Sequence, residues 1–422
     1  MFITWIKCRF SNLKHWIDFD ESVTLHRWTA YSIILFTAIH VNAHYVNMFA
    51  VEYQLTQARL GSAWEIHYMQ YAGVTGHLML LVLFLMATSS VKSVRAKKFE
   101  VFWYTHHLFM LFFVCLFFHA QGCFVRSADT KECKGYNSNY VTIPVFLYYL
   151  SERCFRIYRS FLPTTVEQFI LHPGKTIELR FNKPSLVYKA GQYVLINIPS
   201  ISRFQWHPFT ITSSPDEAFT SIHMRIVGDW TENVASYLSL NQTQLDQFVV
   251  RVDGPFGTVS EDWKNYPISI LIGAGIGVTP ASSILKTVRH EMMINSKMPL
   301  TKLYFIWINR DPESFEWFHD LLSDLEESTT GIFYVKNRHD TFQVSQLEIH
   351  TYLTAKTQTF ERIRDLSLRK NDRIDPITKL LTPLSFGRPN WTQIFKKIHH
   401  ENRNRMMGDS LEIGVFYCGT LN

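Results

Sequence analysis

The sequence predicts a multidomain chain: an α-helical transmembrane bundle, then a small antiparallel β-barrel domain, then an α/β domain. Three observations predict this order. Apolar segments of membrane-spanning length lie only in the first 160 of the 422 residues. Short strand-like runs separated by Gly, Pro and Asp follow, and after them come a strand, a glycine-rich turn and a helix. We therefore expect domains at residues 1–160, 161–262 and 263–422.

Four segments of the first domain are candidate transmembrane helices. They cover residues 27–49, 71–91, 101–122 and 138–157, and a spanning helix needs roughly 20 apolar residues. The fourth is the weakest, because its apolar run Val141–Leu150 is short. Lys and Arg are concentrated before the first segment, between the second and third, and after the fourth. By the positive-inside rule, the N-terminus and everything after residue 160 lie in the cytosol.

The overall composition argues against two other classes of protein. The formal net charge of +6 includes no block of Lys and Arg of the nucleic-acid-binding type, so we expect no nucleic-acid partner. The six cysteines are too scattered for a disulfide framework, although Cys123 and Cys133 could pair if their loop faces an oxidising compartment. Glycosylation motifs at Asn241 and Asn390 fall on the predicted cytosolic side and are expected to be unmodified.

Histidines are the informative polar residues of the predicted spans, because ionisable side chains inside a membrane are costly and mark functional positions. His26 and His40 lie at the two ends of the first span, and His106 and His119 lie at the two ends of the third. Each separation corresponds to roughly 20 Å of helix. Two such helices could hold two stacked haems, with imidazole at both axial positions of each iron.

The helical phase qualifies this hypothesis. Fourteen residues bring His40 within about 40° of the face of His26, but thirteen residues place His119 well off the face of His106. We therefore expect a kink or a π-bulge in the third span. An alternative is that the histidines reach for water at the membrane interface. Four others also compete as ligands, namely His44, His67, His77 and His107, and spacing alone does not exclude His44 or His107.

One run in the β-domain has the composition of a flavin site. The predicted strands of this domain are Thr176–Phe181, Tyr193–Ile198, Ser221–Val227 and Phe248–Val252. Among them lies the run His207, Pro208, Phe209, Thr210, which continues with Thr and Ser to Pro215. Hydroxyl groups beside an aromatic ring can hold an isoalloxazine ring and its ribityl chain, and Arg225 could neutralise a pyrophosphate. The alternative is an ordinary edge strand.

The α/β domain opens with a nucleotide-binding pattern. After a tight turn predicted at 253–257, the strand Ile268–Ile272 runs into a glycine-rich turn, and a helix extends from Ala281 to about Met293. The turn consists of Gly273, Ala274, Gly275, Ile276, Gly277, Val278, Thr279 and Pro280. In this context glycines let a backbone approach a pyrophosphate at a helix N-terminus. The spacing is not GxGxxG, so a purely structural role remains open.

Two arginines could select the nucleotide. Arg310 follows the predicted strand Leu303–Ile308, and Arg388 lies in a later loop. Either could pair with a 2′-phosphate and so favour NADPH over NADH, or could simply be solvated. A last predicted strand, Ile413–Tyr417, ends at Cys418, where nucleotides bind in such sheets.

Taken together, these motifs resemble those of the NADPH oxidase (Nox) family, above all its phagocyte-type cytochrome b heavy chains. The resemblance rests on five features that occur in the family's order: His26 with His40, the run from Phe99 to Phe109, the HPFT motif at 207–210, the run from Ile226 to Thr231, and GAGIGVTP at 273–280. It implies a ferric-reductase-like transmembrane domain followed by a ferredoxin–NADP reductase-like module that binds FAD and NADPH.

The resemblance also implies residue roles. It assigns His26 and His106 to the inner of two b-type haems and His40 and His119 to the outer one, and it places His44 where O2 is reduced. It implies flavin contacts by His207, Pro208, Phe209, Thr210 and Arg225. It implies NADPH contacts by Gly273, Gly275, Gly277, Val278, Thr279, Pro280, Arg310, Arg388 and Cys418.

The implied function is an integral-membrane oxidase that passes electrons from NADPH through FAD and two haems to O2, giving superoxide on the far side. The alternatives are a ferric-chelate reductase using the same relay and an inactive haem-binding subunit. The family also implies a small membrane partner and cytosolic activators. Family members have six spans and a longer C-terminal end, whereas four spans are visible here and the sequence ends at Asn422, so we expect a chain truncated at both ends.

Overall fold

A computed structural model describes residues 22–54, 63–119, 121, 139–240, 248–294, 300–331, 346–355, 374–403 and 412–419. The cysteines at 123 and 133 and the motif at 241 lie outside these residues. The described chain divides into two compact units, one of Glu21–Arg156 and one containing Ile157–Asn422. The first is helical and the second contains all the strands, in the order that the sequence predicts.

Seven helices cover the described part of the N-terminal region. They are α1 (Ser22–Gln54), α2 (Ala63–Tyr68), α3 (Tyr71–Ser89), α4 (Lys92–Lys97), α5 (Phe99–His106), α6 (Phe109–His119) and α7 (Asn139–Phe161). Three stretches are long and apolar enough to cross a membrane: Ser22–Ala50, Tyr71–Ser89 and Phe99–His119. Many of their large apolar side chains are exposed, for example those of Phe36 and Phe84. Such surfaces suit a lipid environment.

The fourth predicted span differs from the other three. Residues 139–161 do form a helix, but within the described chain only the three stretches above have the composition of a membrane span. The reason is physical: the C-terminal half of α7 carries Glu152, Arg153, Arg156 and Arg159, which are costly in hydrocarbon. Its apolar N-terminal half, Val141–Leu150, is about half the length that a span requires.

The third span is interrupted, as predicted, but by a tightened turn and not by a π-bulge. Helices α5 and α6 are separated by a turn at His107 and Leu108. There the backbone bonds change to an i→i−3 pattern: Leu108 N–H donates to Thr105 O (3.1 Å) and Met110 N–H donates to His107 O (3.2 Å). Such a tightened turn changes the phase of the residues that follow it. His119 therefore does not lie where an ideal helix would place it.

Six strands and one helix follow in the C-terminal unit. They are β1 (Thr165–His172), β2 (Thr176–Asn182), β3 (Tyr193–Asn197), β4 (His207–Thr210), β5 (Thr220–Arg225), α8 (Asp229–Leu240) and β6 (Arg251–Phe256). They form two antiparallel sheets, ordered β1-β2-β5 and β4-β3-β6, and a bridge between Ile211 and Ile222 links the two. An apolar core that includes Leu179, Ile196 and Val252 fills the space between them.

One strand boundary was predicted wrongly. We expected a strand at Phe248–Val252 and a tight turn at 253–257, but β6 begins at Arg251 and continues through Gly254 to Phe256. Gly254 has φ +149° and lies so close to β3 that an added Cβ would be 2.9 Å from Val194. The Gly-Pro pair thus permits a close approach of two strands instead of reversing the chain.

The last part is a parallel sheet with helices. Its elements are β7 (Ile268–Ala274), α9 (Thr279–Met293), β8 (Lys302–Asn309), α10 (His319–Gly331), β9 (Gln346–Leu353), β10 (Ser385–Phe386), α11 (Trp391–Asn402) and β11 (Ile413–Cys418). The strand order is β10-β9-β8-β7-β11. The predicted strands at 268–272, 303–308 and 413–417 and the helix at 281–293 are confirmed, whereas β9 and β10 were not predicted. Trp307 and Phe305 of β8 are fully buried in the core.

A buried ion network holds α11 against this sheet. Lys302 is 4% exposed, and its Nζ lies 2.6 Å from Glu348 and 3.1 Å from Glu401. A hydrogen bond from His350, with help from Lys302, lowers the pKa of Glu348 to about 2. Because the folded pKa is depressed, the stabilisation is present above the usual carboxyl range and is lost as the pH falls towards 2.

We therefore expect Glu348→Gln to destabilise the C-terminal unit at neutral pH by about 1–2 kcal/mol, since partial exposure reduces the effect. The difference from wild type should shrink as the pH is lowered from about 4.5 to about 2. Thermal unfolding followed by tryptophan fluorescence measures it. Glu316→Gln, at an exposed position, is the control and should change little. Equal unfolding temperatures for Glu348→Gln and wild type at pH 7 would contradict the prediction.

Candidate functional site

Four histidines of the membrane helices form two facing pairs. His26 of α1 and His106 of α5 have ring centroids 6.0 Å apart, and His40 of α1 and His119 of α6 have centroids 6.2 Å apart. The break between α5 and α6 is what allows both members of the third span to face α1. Nδ1 of His106 is buried and has no hydrogen-bond partner among the described residues.

A cavity of about 530 Å³ lies beside the second pair. Its walls are mostly apolar and also include His40, His44 and His119. The ring of His44 is 4.4 Å from that of His40. A volume of this size falls within the range of small-molecule and cofactor sites.

The other candidate histidines have different surroundings in the structure. His67 and His77 line the same cavity, where Tyr45 stacks on His67 at 4.2 Å and its hydroxyl lies 2.6 Å from His77 Nε2. His107 is exposed, and its Nδ1 lies 2.7 Å from the carbonyl oxygen of Trp103 in the preceding turn. Sequence reasoning did not single out Tyr45, because one tyrosine in an aromatic-rich span carries no signal of its own.

Helix α3 supports His119 from the side. Nδ1 of His119 lies 3.2 Å from the hydroxyl oxygen of Thr75, and that hydroxyl can donate to the carbonyl oxygen of Tyr71 at 2.5 Å. The hydroxyl is thus able to accept a hydrogen bond from Nδ1–H, and the backbone of Ala72 is a second hydrogen-bond partner of the His119 ring. At Gly76 an added Cβ would be 3.2 Å from the His119 ring. Neither Thr75 nor Gly76 was identified from sequence.

The predicted flavin residues lie on two strands of the β-domain. His207 to Thr210 form β4, and Arg225 ends β5 at an exposed position. Pro208 is exposed, whereas His207 is covered by Trp230 at 4.2 Å between rings, and Phe209 stacks on Trp230 at 6.0 Å. Burial lowers the pKa of His207, so its imidazole is neutral. Trp230 was not among the predicted site residues, although its motif at 226–231 was noticed.

The glycine-rich turn meets both the end of β5 and the end of β11. Gly275 has φ +56°, and an added Cβ there would lie 3.6 Å from Nη1 of Arg225. Gly273 packs on the turn itself, where a Cβ would lie 2.8 Å from Cα of Val278. At Gly277 a Cβ would overlap the carbonyl oxygen of Cys418. The absence of side chains is therefore what lets these segments approach each other.

The remaining predicted nucleotide residues follow the same edge of the sheet. Arg310 comes directly after β8 and Arg388 shortly after β10, and both are exposed. Cys418 ends β11 opposite Gly273, and burial raises the pKa of its thiol, so it is not a thiolate. Val278, Thr279 and Pro280 are buried at the start of α9. Ligands of open parallel sheets bind at this carboxyl edge.

A cleft of about 380 Å³ adjoins Arg225. Lys175 and Arg225 contribute positive charge to it, and Asp311 and Glu313 contribute negative charge. No carboxylate of the described residues lies within ion-pair distance of Arg225. The guanidinium is therefore available to an anionic ligand.

Comparison with known proteins agrees with this division. Three family models match: a ferric reductase like transmembrane component at residues 1–117, an FAD-binding domain at 162–260, and a ferric reductase NAD binding domain at 268–421. A superoxide-generating NADPH oxidase heavy chain of Dictyostelium discoideum is 36% identical over 96% of this chain and 77% of its own length. NADPH oxidase 1 of Rattus norvegicus is 32% identical, over 98% and 80% respectively.

Among solved structures, a ferredoxin NADP+ reductase from Neisseria gonorrhoeae with bound FAD and NADP is similar over 60% of this chain and 99% of that chain. Its TM-score is 0.34 and its identity is 16%, so this likeness carries no argument about function.

Proposed function

This chain belongs to the NADPH oxidase family, and from that premise we propose that it is a superoxide-generating enzyme, which passes electrons from cytosolic NADPH through FAD and two haems to O2 across the membrane. The observation that carries the proposal is the pairing of four transmembrane histidines, at 6.0 and 6.2 Å between ring centroids. When bound, NADPH supplies two electrons as a hydride, FAD divides the pair, and the haems carry single electrons to O2.

The ring separations fit two haems with imidazole on both faces. If two imidazoles bind opposite faces of one metal ion, each metal–nitrogen bond is about 2 Å long and each ring centroid lies about 1 Å beyond its nitrogen. The two ring centroids are then about 6 Å apart. We therefore propose His26 and His106 as ligands of the inner haem, and His40 and His119 as ligands of the outer one. Held by two imidazoles each, the haems would supply one-electron transfer towards O2.

His40 and His119 both line the cavity of about 530 Å³, so the outer haem would occupy it, and we propose that O2 is reduced at the edge of this haem beside His44. His44 lines this cavity and contacts His40, which supports its role beside the acceptor.

At the other end, Arg225 and the glycine-rich turn would hold the anionic parts of FAD and NADPH. Support comes from the 3.6 Å separation between Arg225 and the Cβ position of Gly275. Pro208, Phe209 and Thr210 would lie along the flavin. Either Arg310 or Arg388, at the edge of the sheet, would pair with the 2′-phosphate.

The proposal includes an orientation. We place the FAD and NADPH module in the cytosol and the chain in the plasma membrane or a phagosome- or endosome-type membrane. The orientation is supported by Lys92, Arg95, Lys97 and Lys98, which lie between the second and third spans, in and beside the short helix α4, whose residues are all solvent-accessible. By family resemblance alone, we also propose a small membrane partner and cytosolic activators.

A reduced-minus-oxidised spectrum with haem quantified per chain, followed by NADPH addition under air, tests the function. We expect two haems per chain and superoxide that continues to form when iron is chelated. Two matched models are described as ferric reductase domains, so a ferric-chelate reductase is the second candidate. Loss of electron transfer on chelating iron would favour it. A colourless protein would refute both.

Thr75 provides a test of the outer-haem assignment that does not remove a ligand. Thr75→Val deletes the side-chain acceptor for His119 Nδ1–H but leaves the backbone hydrogen bond with Ala72, so we expect the lower end, about 10-fold, of the loss in metal affinity or activity that follows removal of such a partner. The ligand also becomes less basic, so the midpoint potential of the outer haem should rise. Thr88→Val is the matched control, because the Thr88 hydroxyl bonds carbonyl oxygens of its own helix, at Phe84 and Leu85. Identical redox titrations for Thr75→Val and wild type would argue against this role.

A further inference from the structure

Outside the electron-transfer site, the β-domain contains a cluster of two imidazoles and a carboxylate on three adjacent strands. His172 ends β1, Glu178 lies in β2, and His223 lies directly opposite Glu178 in β5. Oε2 of Glu178 is 2.9 Å from Nε2 of His172 and 3.9 Å from Nε2 of His223. The three candidate ligand atoms lie within 4.8 Å of one another.

One atom of this cluster is left unsatisfied. His223 is 4% exposed, and its buried Nε2 has no hydrogen-bond partner among the described residues. Its other nitrogen, Nδ1, lies 2.9 Å from the hydroxyl of Thr212, which can accept from it and donate to Ser221 Oγ, also at 2.9 Å. Nε2 then directs a lone pair towards a carboxylate. Buried polar groups are rarely left in this state unless a ligand completes them.

Hydrogen bonds from neighbouring side chains hold the proposed ligands in place, as is usual in metal sites. The imidazole of His223 is oriented by Thr212, and Glu178 accepts from Arg180 with both oxygens, Oε1 from Nε at 2.6 Å and Oε2 from Nη2 at 3.2 Å. Histidines and carboxylates that bind metals are generally held by hydrogen-bond partners of this kind.

The separation of the two imidazole rings is close to that of two imidazoles on one metal ion. Two metal–nitrogen bonds of about 2 Å with ring radii of about 1 Å, meeting at a tetrahedral angle, place two imidazole centroids roughly 5 Å apart. The centroids of His172 and His223 are 5.4 Å apart. By the same arithmetic the haem-type pairs require about 6 Å, so this cluster suits a bent arrangement and not an axial one.

We propose that His172, Glu178 and His223 bind a transition-metal dication of the Zn²⁺ class. Two nitrogens and one carboxylate oxygen suit Zn²⁺, whereas Ca²⁺ and Mg²⁺ require more oxygen ligands. Arg180 offsets the single carboxylate charge, which further disfavours the hard cations. The metal would cross-link β1, β2 and β5, and Arg225 is the last residue of β5. The ring of Phe318 would lie next to the metal site, because its centroid is 4.7 Å from that of His223.

Equilibrium dialysis of the purified full-length chain against Zn²⁺, after chelator treatment, with metal counted by elemental analysis, tests the proposal. We expect His172→Gln to bind one Zn²⁺ fewer per chain than wild type. Thr212→Val, which keeps all three ligands, should weaken binding by about 10–100-fold. His350→Gln is the matched control, because His350 also faces a glutamate, at 3.5 Å from Glu348, and it should bind as wild type does.

Flavin content and the thermal midpoint verify that each variant is folded. If His172→Gln does not fold, Thr212→Val still decides the question. X-ray absorption at the zinc edge should show only nitrogen and oxygen neighbours. Equal Zn²⁺ binding by wild type, His172→Gln and Thr212→Val, or a sulfur neighbour in the absorption spectrum, would overturn the proposal.

Discussion

Replacing His40 with Leu is expected to remove the outer haem, leaving one haem per chain, and to reduce superoxide formation to background. The proposed outer iron has imidazole ligands from α1 and α6, and Leu offers no ligand atom. Leu is favourable within a membrane span, so the helix itself should persist. The inner pair, His26 and His106, does not involve His40 and should keep its haem.

Haem quantified per chain and the reduced-minus-oxidised spectrum give the result directly. His119→Leu should behave in the same way, because it removes the opposite ligand. The matched control is His107→Leu, since His107 is exposed and its Nδ1 lies against the carbonyl oxygen of Trp103 in the preceding turn. Two haems per chain in His40→Leu would refute the ligand assignment, whatever the activity.

The sequence predicted the order of the parts because each has a strong local pattern. Apolar runs mark the spans, short strands separated by turn residues mark the β-domain, and a strand followed by glycines marks the start of the parallel sheet. An interruption of the third span could also be predicted, because thirteen residues of regular helix cannot bring both His106 and His119 to face α1. Its position at His107 and Leu108 could not.

What could not be predicted depends on contacts between distant segments. Thr75 is 44 residues from His119, and a single threonine in an apolar helix carries no signal of its role. The same holds for His223, whose metal-ligand geometry depends on the register of three strands. The strand at 251–256 was misplaced because Gly-Pro ordinarily marks a turn, and only the nearby strand β3 explains why the chain stays extended.

At the nucleotide edge, Gly277→Ala is expected to lower kcat/KM for NADPH by about 10–100-fold. The added methyl group would overlap the carbonyl oxygen of Cys418 and crowd the backbone nitrogen of Gly419. Both contacts are backbone, so neither can move aside as a side chain would. The end of β11 and the glycine-rich turn must therefore separate, which displaces the segment proposed to hold the nicotinamide nucleotide.

Stopped-flow reduction of the flavin by NADPH measures this effect apart from the later steps. Haem content and the dithionite-reduced spectrum of Gly277→Ala should equal those of wild type, because no residue of the histidine pairs is affected. Gly228→Ala is the control: an added Cβ there meets nothing within 4 Å, so the rate should stay within about twofold.

Gly277→Ala tests the packing of the turn against β11 and not the conformational freedom of glycine. Gly275 has positive φ, so its replacement would strain the backbone wherever the ligand binds, whereas Gly277 has no such conformation. The requirement for glycine at 277 therefore comes from its contact with the end of β11. Wild-type flavin reduction in Gly277→Ala would mean that β11 and the turn do not meet when NADPH binds, and Cys418 would then have no place in the site.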